Sequence, residues 1–252
     1  SVSDLLSEHH DQQATAKRAR EESGSGADWR QESDHSYTLR QLYSDLSDVV
    51  NHVSEWRSTV NSKLAILNGD AGTGKTHLLC DLATQRLAKG RPTVVLMGQQ
   101  FLSNADPWTQ ALQQLDLSNW TAGNFIKALE VTAQRANSRA LFVIDAINEG
   151  AGRQIWPTHL LPFLDRLKAS PWISVVISVR SSYADELLPD EGLGDSVQIE
   201  HHGFQNIEFD ATAAFFEHYG IELPSSPLLA PEFSNPLYLK TLCQGLQASG
   251  QT

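Results

Sequence analysis

Cysteine is nearly absent from this chain: Cys80 and Cys243 are the only two in 252 residues, and methionine occurs once. So few thiols exclude a disulfide-held scaffold. Because both lie in helix-like runs, they read as buried free thiols in a reducing, cytosolic compartment. Basic charge is also scarce, with 19 Lys and Arg against 30 Asp and Glu and a formal net charge of −11. That balance argues against the broad positive field that holds nucleic acid or anionic membrane, so nucleic acid is not an expected partner of this segment, although a local basic stripe stays compatible with it. No apolar run approaches the roughly 18 residues needed to cross a bilayer. Ser1-Val2-Ser3-Asp4 also lacks the basic-then-apolar opening of a secretory signal, so neither membrane insertion nor export is expected. The length suits one large domain, or one domain with an appendage. The chain starts without Met and reads as a segment of something longer.

Residues 1–35 are polar, pass through Glu21-Glu22 and Ser23-Gly24-Ser25-Gly26, and read as a loose helix and linker. Leu39, Leu42, Tyr43, Leu46, Val49, Val50, Val53 and Trp56 then recur every three or four residues behind a capping box at Thr38 and Gln41, which predicts an amphipathic helix over about 39–57. Strands are predicted at Leu64–Leu67, Thr93–Met97, Ala140–Asp145, Trp172–Val179 and Val197–His201. Helices are expected at 75–89, 107–116, 121–136 and 153–169. Five apolar strands separated by helices make an α/β fold with a parallel sheet covered on both faces. Beyond residue 204 only helical patterns remain, at Asp210–Tyr219 and Pro236–Gln247, with Pro224, Pro227 and Pro231 between them. The expected division is therefore a linker over 1–35, an α/β domain with its leading helix over 36–203, and the start of a helical domain over 204–252.

Gly69-Asp70-Ala71-Gly72-Thr73-Gly74-Lys75-Thr76 fits G-x-x-x-x-G-K-[ST] without mismatch, between an apolar strand and an amphipathic helix. Glycines let the main chain curl so that successive N–H groups face inward, and the helix dipole reinforces the resulting anion site. Lys75 suits the β- and γ-phosphates of a nucleotide and the Thr76 hydroxyl suits Mg²⁺, while Thr73 offers a further hydroxyl. His77, in the first helical turn, is included among the expected nucleotide contacts. Leu141-Phe142-Val143-Ile144-Asp145 is a buried strand ending in a carboxylate, and Mg²⁺ beside Thr76 accounts for its charge; the alternative is a helix-capping Asp. Four residues on, Glu149 is placed to polarise the water that attacks the γ-phosphate, unless it is a solvated loop residue. Asn148 can help position that water but cannot act as a base. Arg180 closes the apolar run Ile173–Val179, where strand ends line the ligand crevice of an open α/β sheet; a strand-end Arg reaching for water fits equally well.

His9-His10 and His201-His202 lack metal-ligand spacing, and Trp29, Trp56, Trp108, Trp120, Trp156 and Trp172 read as packing rather than a stacking platform. Lys17-Arg18-Ala19-Arg20 is largely neutralised by Glu21-Glu22, and neither cysteine has the setting of a nucleophile.

Together the loop Gly69–Thr76, the run Val143-Ile144-Asp145-Ala146-Ile147-Asn148-Glu149, the run Val176-Ile177-Ser178-Val179-Arg180 and the segment Phe233-Ser234-Asn235-Pro236-Leu237-Tyr238-Leu239-Lys240-Thr241-Leu242-Cys243 resemble the STAND branch of P-loop NTPases. The resemblance covers residues 36–252, is to NACHT-type nucleotide-binding modules, and is most marked to the bacterial antiviral STAND (Avs) proteins. It implies an ATP-binding and hydrolysing switch with Mg²⁺ as cofactor, with Asp145 and Glu149 serving metal and hydrolysis. It also implies that Arg180 senses phosphate and Pro236 packs on adenine, although Asn235-Pro236 is equally a good helix start. Further implications are homo-oligomerisation on activation and a phage protein as trigger, acting through sensor repeats expected after residue 252, with an effector domain expected before residue 1. The winged-helix domain that normally follows, with its nucleotide-contacting histidine, is not in these residues.

Overall fold

A computed structural model describes residues 62–189, 191–223 and 231–249. The expectations for residues 1–57, including the amphipathic helix, His9, His10, Trp29 and Trp56, and those for Pro224 and Pro227, lie outside the described residues. The chain from Asn61 onward forms one compact unit. Its elements run β1 (Leu64–Asn68), α1 (Lys75–Ala88), β2 (Thr93–Met97), α2 (Pro107–Gln114), α3 (Ala122–Arg135), β3 (Ala140–Asp145), α4 (Gly152–Lys168), β4 (Ile173–Ser178), the short α5 (Ala184–Leu187), β5 (Val197–Glu200), α6 (Glu208–Tyr219) and α7 (Pro236–Ala248). Among the described residues each expected strand and helix is present with ends within two residues of expectation, and α5 is the one α-helix not anticipated.

All strand pairs are parallel, and the order is β2-β3-β4-β1-β5. Parallel neighbours need a crossover, and helices supply it on both faces, so the central strands read as nearly continuous apolar runs. β3 is buried at all six positions. Alternation then sorts the side chains. Leu64 and Ile66 of β1 join Phe142, Ile144, Val175 and Ile177 in the larger core beneath α2, α3 and α4, whereas Leu67, Leu141 and Val143 meet Leu79 of α1 on the other face. Trp108 stacks on Phe163 with centroids 4.2 Å apart, and Trp156 meets Phe101 edge-on at 4.9 Å.

α4 keeps its helical course through Pro157 and Pro162, each of which removes a backbone bond at a cost of about 3 kcal/mol. Ile155, Trp156, Leu160, Phe163, Leu164 and Leu167, all buried on this helix, outweigh that cost at about 1.5–3 kcal/mol each. Two packing expectations need correction. Trp120 is 44% exposed, just ahead of α3, rather than packed. Cys80 is exposed while Cys243 is buried, because α1 turns Leu79 and Ala83 to the sheet and leaves the next residue a hundred degrees away from it. Ala211, Phe233 and Leu239 form a small separate cluster that joins α6, α7 and the turn before α7. Among the described residues no helix is long and apolar enough to cross a membrane.

Candidate functional site

The chain leaves β1 at Asn68, curls through Gly69–Gly74 and enters α1 at Lys75. Gly74 is the N-cap in a left-handed conformation, and no side chain caps the helix, so its first N–H groups keep their positive end uncovered. Lys75 is nearly buried and folds back on the loop: its Nζ donates to the carbonyls of Gly69 at 2.6 Å and Asp70 at 2.7 Å. Burial, and then the Arg180 guanidinium, hold its pKa below the usual lysine range, against the pull of Asp145, Asp70 and Glu149. Thr73 closes the curl by donating its hydroxyl to the Asp70 carbonyl at 3.0 Å.

The Asp145 carboxylate, 2% exposed at the tip of β3, accepts the Thr76 hydroxyl at 2.6 Å on Oδ2 and the Ser178 hydroxyl at 2.5 Å on Oδ1. It caps no helix, since α4 begins only after Ala151. Ser178 Oγ also accepts the Ala146 N–H at 2.7 Å, and the Ser178 carbonyl accepts the Ile147 N–H at 2.9 Å. Ala146 itself is left-handed, with φ 53°. Gly98, at the end of β2, permits this turn: the carbonyls of Asp145 and Ala146 fill the space a Cβ would need.

β4 lies between β1 and β3, so its end faces both the loop and the acidic turn. Arg180 donates from its guanidinium to Glu149 at 2.8 Å, with the two side chains 41% and 34% exposed. Its backbone N–H donates to Asn148 Oδ1 at 3.1 Å, so Asn148, expected above to help position water, uses its side-chain oxygen to tie the turn to the end of β4.

From the other side come the end of β5 and the start of α7. His201 donates its backbone N–H to Asn68 at 2.8 Å, and burial keeps its imidazole pKa below the ordinary value. Asn235 caps α7, accepting the N–H groups of Leu237 and Tyr238, and donates from Nδ2 to the Ala71 carbonyl at 3.0 Å.

One cavity of 890 Å³ gathers these parts. Ala71, Gly72, Thr73, Gly74, Lys75, Thr76 and His77 wall it on one side, with Asp145, Asn148, Glu149 and Arg180 beside them and Pro236 opposite. Gly69 and Asp70 are not on its wall; their carbonyls hold Lys75. The sequence reading missed His201, Phe204, Phe215, Leu237 and Lys240, which also line it, and Ser178, which anchors Asp145. For His201 a signal existed: it follows directly on a strand, where crevice residues collect. For Leu237 and Lys240 the signal was Pro236, one and four residues earlier on the same helix, whereas for Phe204, Phe215 and Ser178 the contacts join distant stretches of chain with no local mark.

A parallel sheet, a glycine loop between its first strand and a helix, and an acidic strand tip facing the hydroxyl beside the loop lysine decide the architecture. The fold is that of a P-loop NTPase. AMPPCP-bound DnaA from Aquifex aeolicus is similar at TM-score 0.51 and 14% identity, over 81% of this chain and 61% of that one, so the chain spans about three fifths of its length. Cdc6p from Pyrobaculum aerophilum is matched at TM-score 0.46 and 16% identity, over 83% of this chain and 62% of that one. Drosophila ORC bound to DNA is matched at TM-score 0.48 and 17% identity, over 73% and 49%. No protein-family description matches the sequence. No curated protein matches it either. The likeness is thus one of P-loop NTPase architecture.

Proposed function

We propose that this chain is the nucleotide-binding and hydrolysing module of a molecular switch that takes Mg-ATP in the cavity above the glycine loop and holds ADP after turnover. The observation that carries the reading is the Thr76–Asp145 hydrogen bond, which joins a hydroxyl at the loop end to an acidic strand tip 69 residues away. Thr76 and Asp145 present hard oxygens side by side, the donor type Mg²⁺ selects while keeping most of its waters, so the residues fit this ion. When bound, it would neutralise phosphate charge. The glycine-loop amides and Lys75 would hold the β- and γ-phosphates, with Ala71–Thr76 and His77 as the contact set, Gly69 and Asp70 holding Lys75 from behind, and Pro236 against the base. Glu149 orients the attacking water once its carboxylate is released from Arg180, and Arg180 is then free to meet the γ-phosphate. Catalysis would thus rest on Glu149, Lys75 and Arg180. AMPPCP, bound by the Aquifex DnaA, is a triphosphate of the same kind.

In the finer reading, also ours, the switch is of the STAND type and serves bacterial antiphage defence in the cytosol. Its α/β part spans 36–203 with a leading helix and its helical part begins at 204. A nucleotide at about 1,000 times its dissociation constant contributes about 4 kcal/mol, whereas throwing a two-state element from 1:99 to 99:1 takes about 5.5 kcal/mol of differential binding. A second ligand, for which a phage protein sensed elsewhere in the full protein is proposed, would supply the remainder and favour homo-oligomers. The test is ATP turnover by the chain and by Glu149→Gln, which should keep nucleotide binding and lower turnover at least about a hundredfold. Unchanged turnover removes Glu149 from the mechanism, and a parent that binds ATP without turning it over, with binding indifferent to Glu149→Gln, leaves a non-hydrolysing scaffold.

The DnaA likeness favours one second reading, an origin-type AAA+ ATPase that remodels DNA. It requires salt-sensitive DNA affinity, which titration at two ionic strengths measures, and the net charge of −11 opposes it.

A further inference from the structure

The glycine loop and the start of α7 complete each other's hydrogen bonding. The first N–H groups of a helix have no partner within it. On α7 the Leu237 N–H is met twice, by Asn235 Oδ1 at 3.0 Å and by the Gly72 carbonyl at 3.2 Å. The Ala71 carbonyl, one residue earlier, accepts Asn235 Nδ2 at 3.0 Å. The approach is as close as the chain permits: a Cβ at Gly72, where φ is +79°, would lie 2.8 Å from Asn235 Oδ1 and 2.9 Å from Leu237 Cβ. Only glycine serves there, on both counts.

These two bonds fix more than the carbonyls. Among the described residues no peptide bond is cis. In a planar trans peptide the N–H points opposite to the C=O of the same unit. Holding the Ala71 carbonyl toward α7 therefore turns the Gly72 N–H away from it, and holding the Gly72 carbonyl does the same for the Thr73 N–H. These amides belong to the loop that lines the cavity. We infer that Asn235 is a positioning residue for the phosphate loop: from α7, 164 residues away in sequence, its side-chain amide sets the orientation in which the loop amides meet a polyphosphate. The inference rests on the nucleotide site proposed above and adds to it the means by which site and helix are coupled. Since coupling is reciprocal, a polyphosphate that fixes those amides also fixes the first turn of α7.

The experiment uses the full chain with Asn235→Ser and Asn235→Thr, both of which retain a capping acceptor and lose the amide donor. Mg-ATP and Mg-ADP affinities are measured by titration, and hydrogen exchange is followed over 69–76 and 236–241 with and without nucleotide. In the parent, nucleotide slows exchange in both segments. In the variants, affinity for both nucleotides falls about fivefold, which is about 1 kcal/mol, and protection of 236–241 is lost while that of 69–76 persists. A general weakening of the fold would instead raise exchange in both segments before nucleotide is added. Unchanged affinity in a folded variant, or a parent whose α7 gains no protection when ATP binds, overturns the inference and leaves the nucleotide site standing. A parent that binds no ATP overturns both.

Discussion

Asp145 and Glu149 sit four residues apart on one turn, and they are held in opposite ways. Asp145 is 2% exposed and fixed by two neutral hydroxyls, Thr76 and Ser178, from two different elements. Glu149 is held by one charged partner, Arg180, with both side chains open to solvent. Neutral donors at short range orient a carboxylate without cancelling its charge, which suits a cation ligand. A half-exposed ion pair contributes little to stability and opens cheaply, which suits a group that must change partners within a reaction cycle.

Asp145→Ala tests the comparison with the largest expected effect on folding. It removes the acceptor of two hydroxyls and leaves the buried Ser178 hydroxyl without its partner, so the urea midpoint should report a loss of about 2 kcal/mol. Ser178→Ala comes next, at about 1 kcal/mol, because it deprives Asp145 Oδ1 and the Ala146 N–H of a partner. Ser178→Thr should restore most of that loss, whereas no cost for Ser178→Ala would show that Asp145 is not anchored from β4. Glu149→Gln should change stability by no more than about 0.5 kcal/mol by the same measurement, in contrast to the large loss of turnover expected of it.

The smallest effect concerns pH. The His201 imidazole is held below its ordinary value by burial and by the charges of Lys75 and His202, against a backbone hydrogen bond to Thr73. As pH falls through the ordinary histidine range, the unfolded chain takes up a proton there before the folded one does. The stability present above that range is therefore lost on acidification. His201→Gln should flatten this part of the decline between neutral and mildly acidic pH, seen as a smaller drop in urea midpoint than in the parent. An unchanged slope would mean that the histidine is not perturbed.

Much of the fold was legible because a parallel sheet buried on both faces writes itself as short apolar runs between turn residues. Thr93–Met97 and Ala140–Asp145 kept their expected limits. The positions of the loop lysine and of Asp145 were legible for a related reason, since a glycine curl between strand and helix and a charge closing a hydrophobic run are both local patterns. Cys80 went wrong because helix periodicity tells the faces apart only once the inward residues are known. Ser178 escaped notice as one small polar residue in an apolar strand; its importance depends on β4 lying beside β3, a matter of topology. The contact of Asn235 with Ala71 was beyond sequence reasoning altogether, although its capping role was not.

Gly98 brings no polar side chain to the site, yet the end of β2 can pass the turn after Asp145 only because this residue has no side chain. A methyl group there would lift the Ala146 peptide and tilt the acidic tip away from Thr76. Harm to the proposed site would then trace to a position with no chemistry of its own, and a survey confined to polar groups would never suspect it.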